Sequence, residues 1–225
     1  MINNKLNELL LEFGDDVKFD FDLKKKNWFN IGGKSKIFYK ANDLKSLVNF
    51  LKKINNKERI FVLGAGSNIL ITDKVFDGVV IKLGKNFNNI SLLGEDIIIA
   101  GSAVLDRALS EFAMKNSLSG FEFLSCIPGS VGGGIRMNAG CFNREFKDIL
   151  ISIQAIDKNG NVLTIPSKDI KFDYRNNNLS EDLIFLSASF KGKKSDQFKI
   201  NNEVKRLKKE KEKNQPTQIK TSGST

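Results

Sequence analysis

The 225 residues contain no histidine and two cysteines, Cys126 and Cys141. Without imidazole there is no Ser-His-Asp or Cys-His nucleophile pair and no histidine metal ligand, so any proton must move through other groups. Two thiols are too few for a disulfide scaffold and cannot complete a tetrahedral Cys/His zinc site. They read as ordinary reduced thiols of a cytoplasmic protein. Proline is nearly as scarce, with 3 residues against 18 glycines scattered between apolar segments, which excludes collagenous, disordered and low-complexity chains. No apolar run reaches the about 18 residues a membrane span needs. Even Ile60 to Ile71 is broken by Gly64, Gly66, Ser67 and Asn68. The opening residues Met1 to Glu8 alternate polar and apolar types and lack the form of a signal peptide. The expectation is a soluble, unexported chain.

What is present is ordinary for a packed protein: 40% hydrophobic and 28% charged residues. This length is enough for one large domain or two small ones burying roughly 70% of the unfolded surface. The net charge of +10 raises a nucleic-acid hypothesis. Much of the excess sits between Lys199 and Lys213, where Lys205, Arg206, Lys208, Lys209 and Lys211 cluster. Glu203, Glu210 and Glu212 interrupt that segment, Val204 and Leu207 are its few apolar residues and no aromatic interleaves it, so a solvated helix is favoured over a binding stripe. Lysine there could still attract a phosphorylated small molecule.

Periodicity supplies the elements. Leu6, Leu9, Leu10 and Phe13 share a helix face that Gly14 ends. Ile37 to Ala41 reads as a strand, followed by a helix capped by Asn42 or Asp43 with Leu44, Leu47, Val48 and Leu51 on one face. Arg59 to Leu63, Ile69 to Thr72 and Gly78 to Leu83 are β-rich, and a first lobe closes near Leu83. Asp96 to Ala100 is a strand and Val104 to Asn116 a helix. Ile151 to Asp157 and Val162 to Ile165 flank Asn159-Gly160, which suits a hairpin turn. Leu183 to Phe190 is the next strand, and Asp196 to Asn214 a charged helix stopped by Pro216. There are no internal repeats.

Two glycine-rich loops could carry chemistry. Gly64-Ala65-Gly66-Ser67-Asn68 follows a strand, but Ile69 stands where a dinucleotide fingerprint has its third glycine and the run beyond is β-like, so it is no Rossmann turn. It is either a tight turn or a nest of backbone N–H groups facing a phosphate. Ile127-Pro128-Gly129-Ser130-Val131-Gly132-Gly133-Gly134 removes side chains over successive positions, so an anionic ligand could approach the main chain, or the segment is a flexible surface loop. It lacks the Lys-Ser/Thr pair of a Walker loop, which argues against nucleoside triphosphate hydrolysis but leaves room for a diphosphate. Asn138, in Met137-Asn138-Ala139-Gly140, can both donate and accept, though alone it reads as a turn residue. Arg175, after Tyr174, alone reads as solvent-exposed, and Thr221 to Thr225 as a frayed polar tail.

Taken in order, Asn27-Trp28-Phe29-Asn30-Ile31-Gly32-Gly33, the loop from Leu63 to Asn68, Ile127 to Gly133, Met137 to Gly140, Tyr174-Arg175 and Gly223-Ser224 resemble the UDP-N-acetylenolpyruvoylglucosamine reductase family, from about Asn27 to the last residue. The resemblance implies an α+β chain, a two-lobed FAD-binding module of the vanillyl-alcohol-oxidase type followed by the start of a third, substrate-binding domain. The expected spans are residues 1–84, 85–194 and 195–225. The flavin would lie between the lobes, with Gly64, Ala65, Gly66, Ser67, Asn68, Pro128, Gly129, Ser130, Gly132, Gly133, Asn138, Ala139 and Gly140 as cofactor contacts.

By the same resemblance NADPH serves as reductant, UDP-N-acetylglucosamine enolpyruvate as substrate and UDP-N-acetylmuramate, for peptidoglycan, as product. Neither nucleic acid nor membrane is an expected partner. Arg175 takes the role of the cation beside the substrate carboxylate, and Ser224 that of the proton donor to C2. The family continues beyond this serine to a second catalytic acid, for which Glu203, Glu210 and Glu212 lie too early in the order. This implies a C-terminally truncated reductase of reduced activity. The alternatives are a non-catalytic FAD-binding remnant and a basic nucleic-acid-binding protein.

Overall fold

The computed structural model describes residues 2–54 and 58–214. Helix α1 (Ile2–Phe13) stops at Gly14, whose φ of +52° ends the turn. Strand β1 (Val17–Asp22) pairs antiparallel with β2 (Lys34–Ala41), and α2 (Leu44–Ile54) leads to β3 (Ile60–Val62) and β4 (Phe76–Leu83). The first sheet has the order β1-β2-β4-β3, with β2 and β3 both parallel to β4. Asp43 starts α2 by accepting the Ser46 N–H at 2.8 Å, a stabilisation of about 1 kcal/mol. The buried stripe of α2 is Leu47, Phe50, Leu51 and Ile54, so Leu44, expected on that face, lies at its edge and is exposed. In α1 Leu9 is buried and Leu10 exposed, while Phe13 packs edge-on against Tyr39 and Phe50. The Leu6 side chain lies outside the described residues.

A second sheet begins after Gly84. It contains β5 (Ile90–Leu93) and β6 (Ile97–Gly101), which is followed by helix α3 (Asp106–Lys115) and the short strand β7 (Leu118–Ser119). Beyond a 3₁₀ segment, Glu122–Cys126, come helix α4 (Val131–Arg136) and the small hairpin of β8 (Gly140–Cys141) and β9 (Arg144–Glu145). Strands β10 (Leu150–Ile156), β11 (Val162–Pro166) and β12 (Ile184–Lys191) complete an all-antiparallel order β11-β10-β12-β6-β5. The β10–β11 turn forms where expected, because the Asp157 carboxylate accepts the N–H groups of Asn159 and Asn161 and Gly160 takes φ +87°. After β13 (Lys193–Lys194), Asp196 caps α5 (Gln197–Asn214) through the N–H groups of Phe198 and Lys199. Helix α5 buries Ile200 and Leu207 and packs on the 122–126 segment, while Arg206 forks onto Glu203 and Glu210.

Two further expectations need correction. Ile69 to Thr72 is extended but joins no sheet: it lies along the Gly32-Gly33 turn, where the Gly33 N–H donates to Thr72 O at 2.8 Å and Ile71 lies against Gly32. The glycine segment from Val131 onward is helical, and two of its glycines serve packing. Gly132 lies on Ser102, and a Cβ at Gly134 would overlap the ring of the fully buried Phe146.

Side chains from β10 and β12 of the second sheet, Ile156, Ile184 and Leu186, join Leu47, Phe50, Val79 and Ile81 of the first lobe in one apolar cluster. The larger cluster beneath the second sheet is built on α3, α4, Phe123, Phe146 and Phe190. Within it sits Asp106, fully buried at the start of α3 against Gly129, with neither carboxyl oxygen partnered among the described residues. Burial pushes its pKa well above the usual 3.8, because desolvation disfavours the ionised form.

Two stability predictions follow from these contacts. Replacing Gly134 with Ala forces a methyl into the Phe146 ring and should cost about 1–3 kcal/mol in a denaturant titration. For Asp106 the folded state holds a proton that the unfolded chain releases, so this residue's contribution to stability falls as pH rises above about 4. Asp106→Asn should therefore flatten the pH dependence of Tm and gain on the parent chain toward neutral pH. Parallel Tm profiles for the two chains would show that the carboxyl is ionised in the fold.

Candidate functional site

The first loop is held from below by the segment before β2. Asn27 is buried and its amide donates to the carbonyls of Leu23 and Ile31 at 3.1 and 2.7 Å, which folds residues 23–33 into a compact knot. The Trp28 N–H then donates to Gly66 O at 2.9 Å, and Gly66, at φ +72°, sits directly on the Lys26 carbonyl where no Cβ would fit. The Asn27-to-Gly33 stretch and the first glycine loop are thus one unit of structure.

The second loop meets that unit edge to edge. A Cβ built on Gly64 would stand 2.6 Å from Ser130 Oγ, so the bare face of one loop lies on the side chain of the other. The second loop is anchored to the connection from β6 into α3 through Val131 N–H to Val104 O, Gly132 N–H to Ser102 O and Asp106 N–H to Gly129 O, at 2.8 to 3.1 Å. Around this junction the hydroxyls of Ser102 and Ser130 are buried with no partner among the described residues, a condition that ordinarily costs about 1–3 kcal/mol per group. Pro128 and Gly133 are exposed and Gly64, Ala65, Ser67 and Gly129 partly so, leaving main chain accessible on both sides.

Lysine supplies the charge at the junction. Lys82, on β4, donates to Gly64 O at 2.6 Å. Burial, and then the positive charge of Lys26, lower its pKa from the ordinary lysine value. Two cations sharing one edge of a glycine loop favour an anionic guest. Sequence reasoning passed over both, although a lysine in the apolar run Val79-Val80-Ile81-Lys82-Leu83 was a usable signal.

Helix α4 links the junction to a second feature about 9 Å along its axis. A cavity of about 580 Å³ opens at its C-terminal end, lined by Arg136, Met137, Arg175, Asn176, Leu179 and Glu181. Arg136 donates to the carbonyls of Leu179, Ser180 and Leu183 at 3.2, 3.0 and 2.6 Å and stacks 4.1 Å over Phe185. Burial lowers its pKa from the ordinary arginine value. Nothing in the sequence marked it. Arg175 projects from a tight turn in which Asp173 and Asn176 exchange backbone hydrogen bonds, with φ +58° at Arg175 itself. Buried Asn177 ties that turn to α4 by donating to Ile135 O at 3.2 Å.

The remaining predicted positions divide. Asn138 is buried at φ +39° and internally engaged: its amide donates to Glu145 Oε2 and to Asp173 O, and its carbonyl oxygen accepts from the Lys147 N–H. Ala139 is buried beside it and Gly140 opens the β8–β9 hairpin. Asn68 is exposed at the end of the first loop. Gly223 and Ser224 lie outside the described residues.

Comparison with known proteins gives this geometry its context. Residues 36–166 match the FAD binding domain family, a span that includes both loops. The chain is 64% identical over 214 residues to the UDP-N-acetylenolpyruvoylglucosamine reductase of Pelagibacter ubique, covering 95% of this chain and 71% of that one. It is 46% identical to the enzyme of the same name from Rickettsia typhi, covering 93% and 71%. Among solved structures, the UDP-N-acetylenolpyruvylglucosamine reductase of Thermus caldophilus superposes with a TM-score of 0.80 at 26% identity, over 92% of this chain and 72% of that one. p-Cresol methylhydroxylase shares the fold, with a TM-score of 0.61 at 15% identity over 86% and 44%. Two glycine loops abutting across two lobes, within an FAD-binding domain and alongside relatives of this identity, establish that the chain belongs to the UDP-N-acetylenolpyruvoylglucosamine reductase family.

Proposed function

We propose that the chain binds FAD across the junction of its two glycine loops and acts in the NADPH-driven reduction of UDP-N-acetylglucosamine enolpyruvate to UDP-N-acetylmuramate, a step of peptidoglycan synthesis. The observation that carries this is the contact of Gly64 with Ser130 Oγ, which brings the main chain of both lobes to one edge. The residues there fit a dinucleotide: partly exposed glycine main chain can take the diphosphate, unpartnered serine hydroxyls can bond to it, and Lys82 with Lys26 balances its charge. We assign the contacts to Gly64 through Asn68 and to Pro128, Gly129, Ser130, Gly132 and Gly133. The internal bonds of Asn138 make it, with Ala139 and Gly140, a support of the loop in this reading.

Bound FAD supplies hydride transfer, from NADPH and on to the enolpyruvyl carbon C3. The chain's own residues handle the charge. Addition of hydride to an enol ether conjugated to a carboxylate pushes an electron pair toward that carboxylate, so a fixed cation beside it lowers the barrier. Arg175 lines the cavity from a turn whose backbone is fixed by Asp173, Asn176 and Asn177, which places this cation at the cavity wall before substrate arrives. Arg136 holds the opposite wall by its three carbonyl bonds. Ser224, by family likeness, delivers the proton to C2; an alcohol can do so where the acceptor is strongly basic and water is excluded. We place the reaction in the cytoplasm. Among the described residues no helix is long and apolar enough to cross a membrane.

Titrating the purified chain with FAD and following flavin fluorescence should show saturation at one FAD per chain. A folded chain that binds none would overturn the assignment. Lys82→Met should weaken FAD about tenfold, or ~1.4 kcal/mol, with unchanged far-UV circular dichroism. Arg175→Ala should retain FAD but lose about 2.7–4 kcal/mol of transition-state stabilisation in kcat/KM for the enolpyruvyl substrate; an unchanged kcat/KM removes this arginine from the mechanism. Ser224→Ala should likewise keep FAD affinity and abolish product formation, and persistent turnover would reassign the proton donor.

A further inference from the structure

The fold brings together the chain's two cysteines, at the two ends of the segment that carries the second loop. Cys126 closes the 3₁₀ segment Glu122–Cys126, immediately before Ile127 and Pro128, and Cys141 closes β8, immediately after Met137 to Gly140. Strand β8 packs on the 3₁₀ segment. The hairpin after Cys141 turns through Phe142 and Asn143, both at positive φ (54° and 58°), a two-residue turn that fixes where Cys141 points. Both thiols are free, and the packing of β8 on the 3₁₀ segment sets the two residues near enough for each to influence the other's protonation.

Their surroundings make the two sulfurs unequal. Ser125 Oγ stands 3.7 Å from Cys126 Sγ. Helix α5 packs over the same segment and brings in lysines: Lys211 Nζ donates to Cys126 O at 2.5 Å, and Lys208 lies close enough to act on the thiol electrostatically. The hydrogen bond from Cys141, then that from Ser125 and the charges of Lys211 and Lys208, hold the Cys126 thiol below the ordinary thiol range. Donating that bond keeps Cys141 protonated, with its own pKa raised. Cys126 is nearly buried while Cys141 is partly exposed, so access is limited to small molecules.

We propose that Cys126 and Cys141 form a dithiol site that small oxidants of the hydroperoxide class convert to an intrachain disulfide, with Cys126 as the attacking sulfur and Cys141 as the resolving one. In the first step the Cys126 sulfur attacks the terminal peroxide oxygen, the O–O bond breaks and the departing alkoxide or hydroxide takes up a proton. Cys126 is left as a sulfenic acid. In the second, Cys141 loses its proton and attacks the Cys126 sulfur; the S–S bond forms, the S–O bond breaks and hydroxide leaves as water. Two thiols are oxidised by two electrons and one peroxide is reduced to an alcohol, or to water when the oxidant is hydrogen peroxide. The S–S bond of about 2.05 Å pulls the ends of the segment together. The resulting ring encloses all of α4 and the loop ahead of it, so oxidation ties the two ends of that segment together covalently.

The test uses the reduced full chain treated with hydrogen peroxide, quenched by alkylation and read by intact mass and peptide mapping. The expected result is the loss of two hydrogens per chain with Cys126 and Cys141 joined in one peptide pair, reversed by dithiothreitol. Cys141→Ser should stop at a sulfenic acid on Cys126 that dimedone captures, and Cys126→Ser should leave Cys141 fully alkylatable. The proposal is overturned if both wild-type thiols remain alkylatable after peroxide treatment and unfolding. It is also overturned if only intermolecular disulfides form, or if the Cys126→Ser chain accumulates sulfenic acid on Cys141. Because the decisive reading comes from the wild-type chain, a variant that folds poorly does not decide the matter.

Discussion

The structure depends on the apolar seam between its two sheets. Ile156, Ile184 and Leu186 leave the second sheet to pack among Leu47, Phe50, Val79 and Ile81 of the first, and each is nearly or fully removed from water. Burial of this kind contributes about 1.5–3 kcal/mol per side chain. It also fixes how one lobe stands against the other. The Ser102 N–H donating to Leu186 O and the Ala103 N–H to Phe87 O then pin the connection leading into α3 and, through it, the second loop. Without that seam Gly64 would have no reason to face Ser130, and the main chains of the two loops would not meet at one edge. A loop-by-loop account therefore misplaces the cause: the site is a property of the interface.

Much of this architecture is legible in the sequence because it rests on short-range periodicity. The α2 stripe, the β10–β11 turn at Asn159-Gly160 and the capped start of α5 all follow from spacing and cap chemistry, which act within a few residues. The expectations that fail do so where distant residues decide. Ile69 to Thr72 has strand composition, yet its neighbour is the Gly32-Gly33 turn, which offers one hydrogen bond where a sheet edge would offer a ladder. Leu44 has helical spacing but sits one step off the stripe that α1 and the sheet cover. Glycines in a row suggest an open loop, while Gly132 and Gly134 are required by Ser102 and Phe146, residues no local pattern connects to them.

The site is legible in its main chain and hidden in its charges. The glycine loops and Arg175 come with motifs. Lys82 and Arg136 do not, because their meaning lies in a partner from another element: Gly64 O for the one, and the carbonyls of residues 179–183 for the other. The same holds for the two thiols, which composition reads as ordinary reduced thiols and the fold brings near each other and near lysines of α5.

A charge balance then separates recognition from support. Lys82 and Lys26 stand together at the first loop, and burial and then the charge of Lys26 lower the pKa of Lys82, so keeping positive charge there costs stability. At the second loop Asp106 lies fully buried against Gly129, and that burial disfavours its charged form. Had Asp106 been ionised beneath Gly129, its repulsion of a diphosphate at the loop would have worked against both lysines. The burial that makes this carboxyl costly to ionise therefore also spares the glycine loop above it a negative charge.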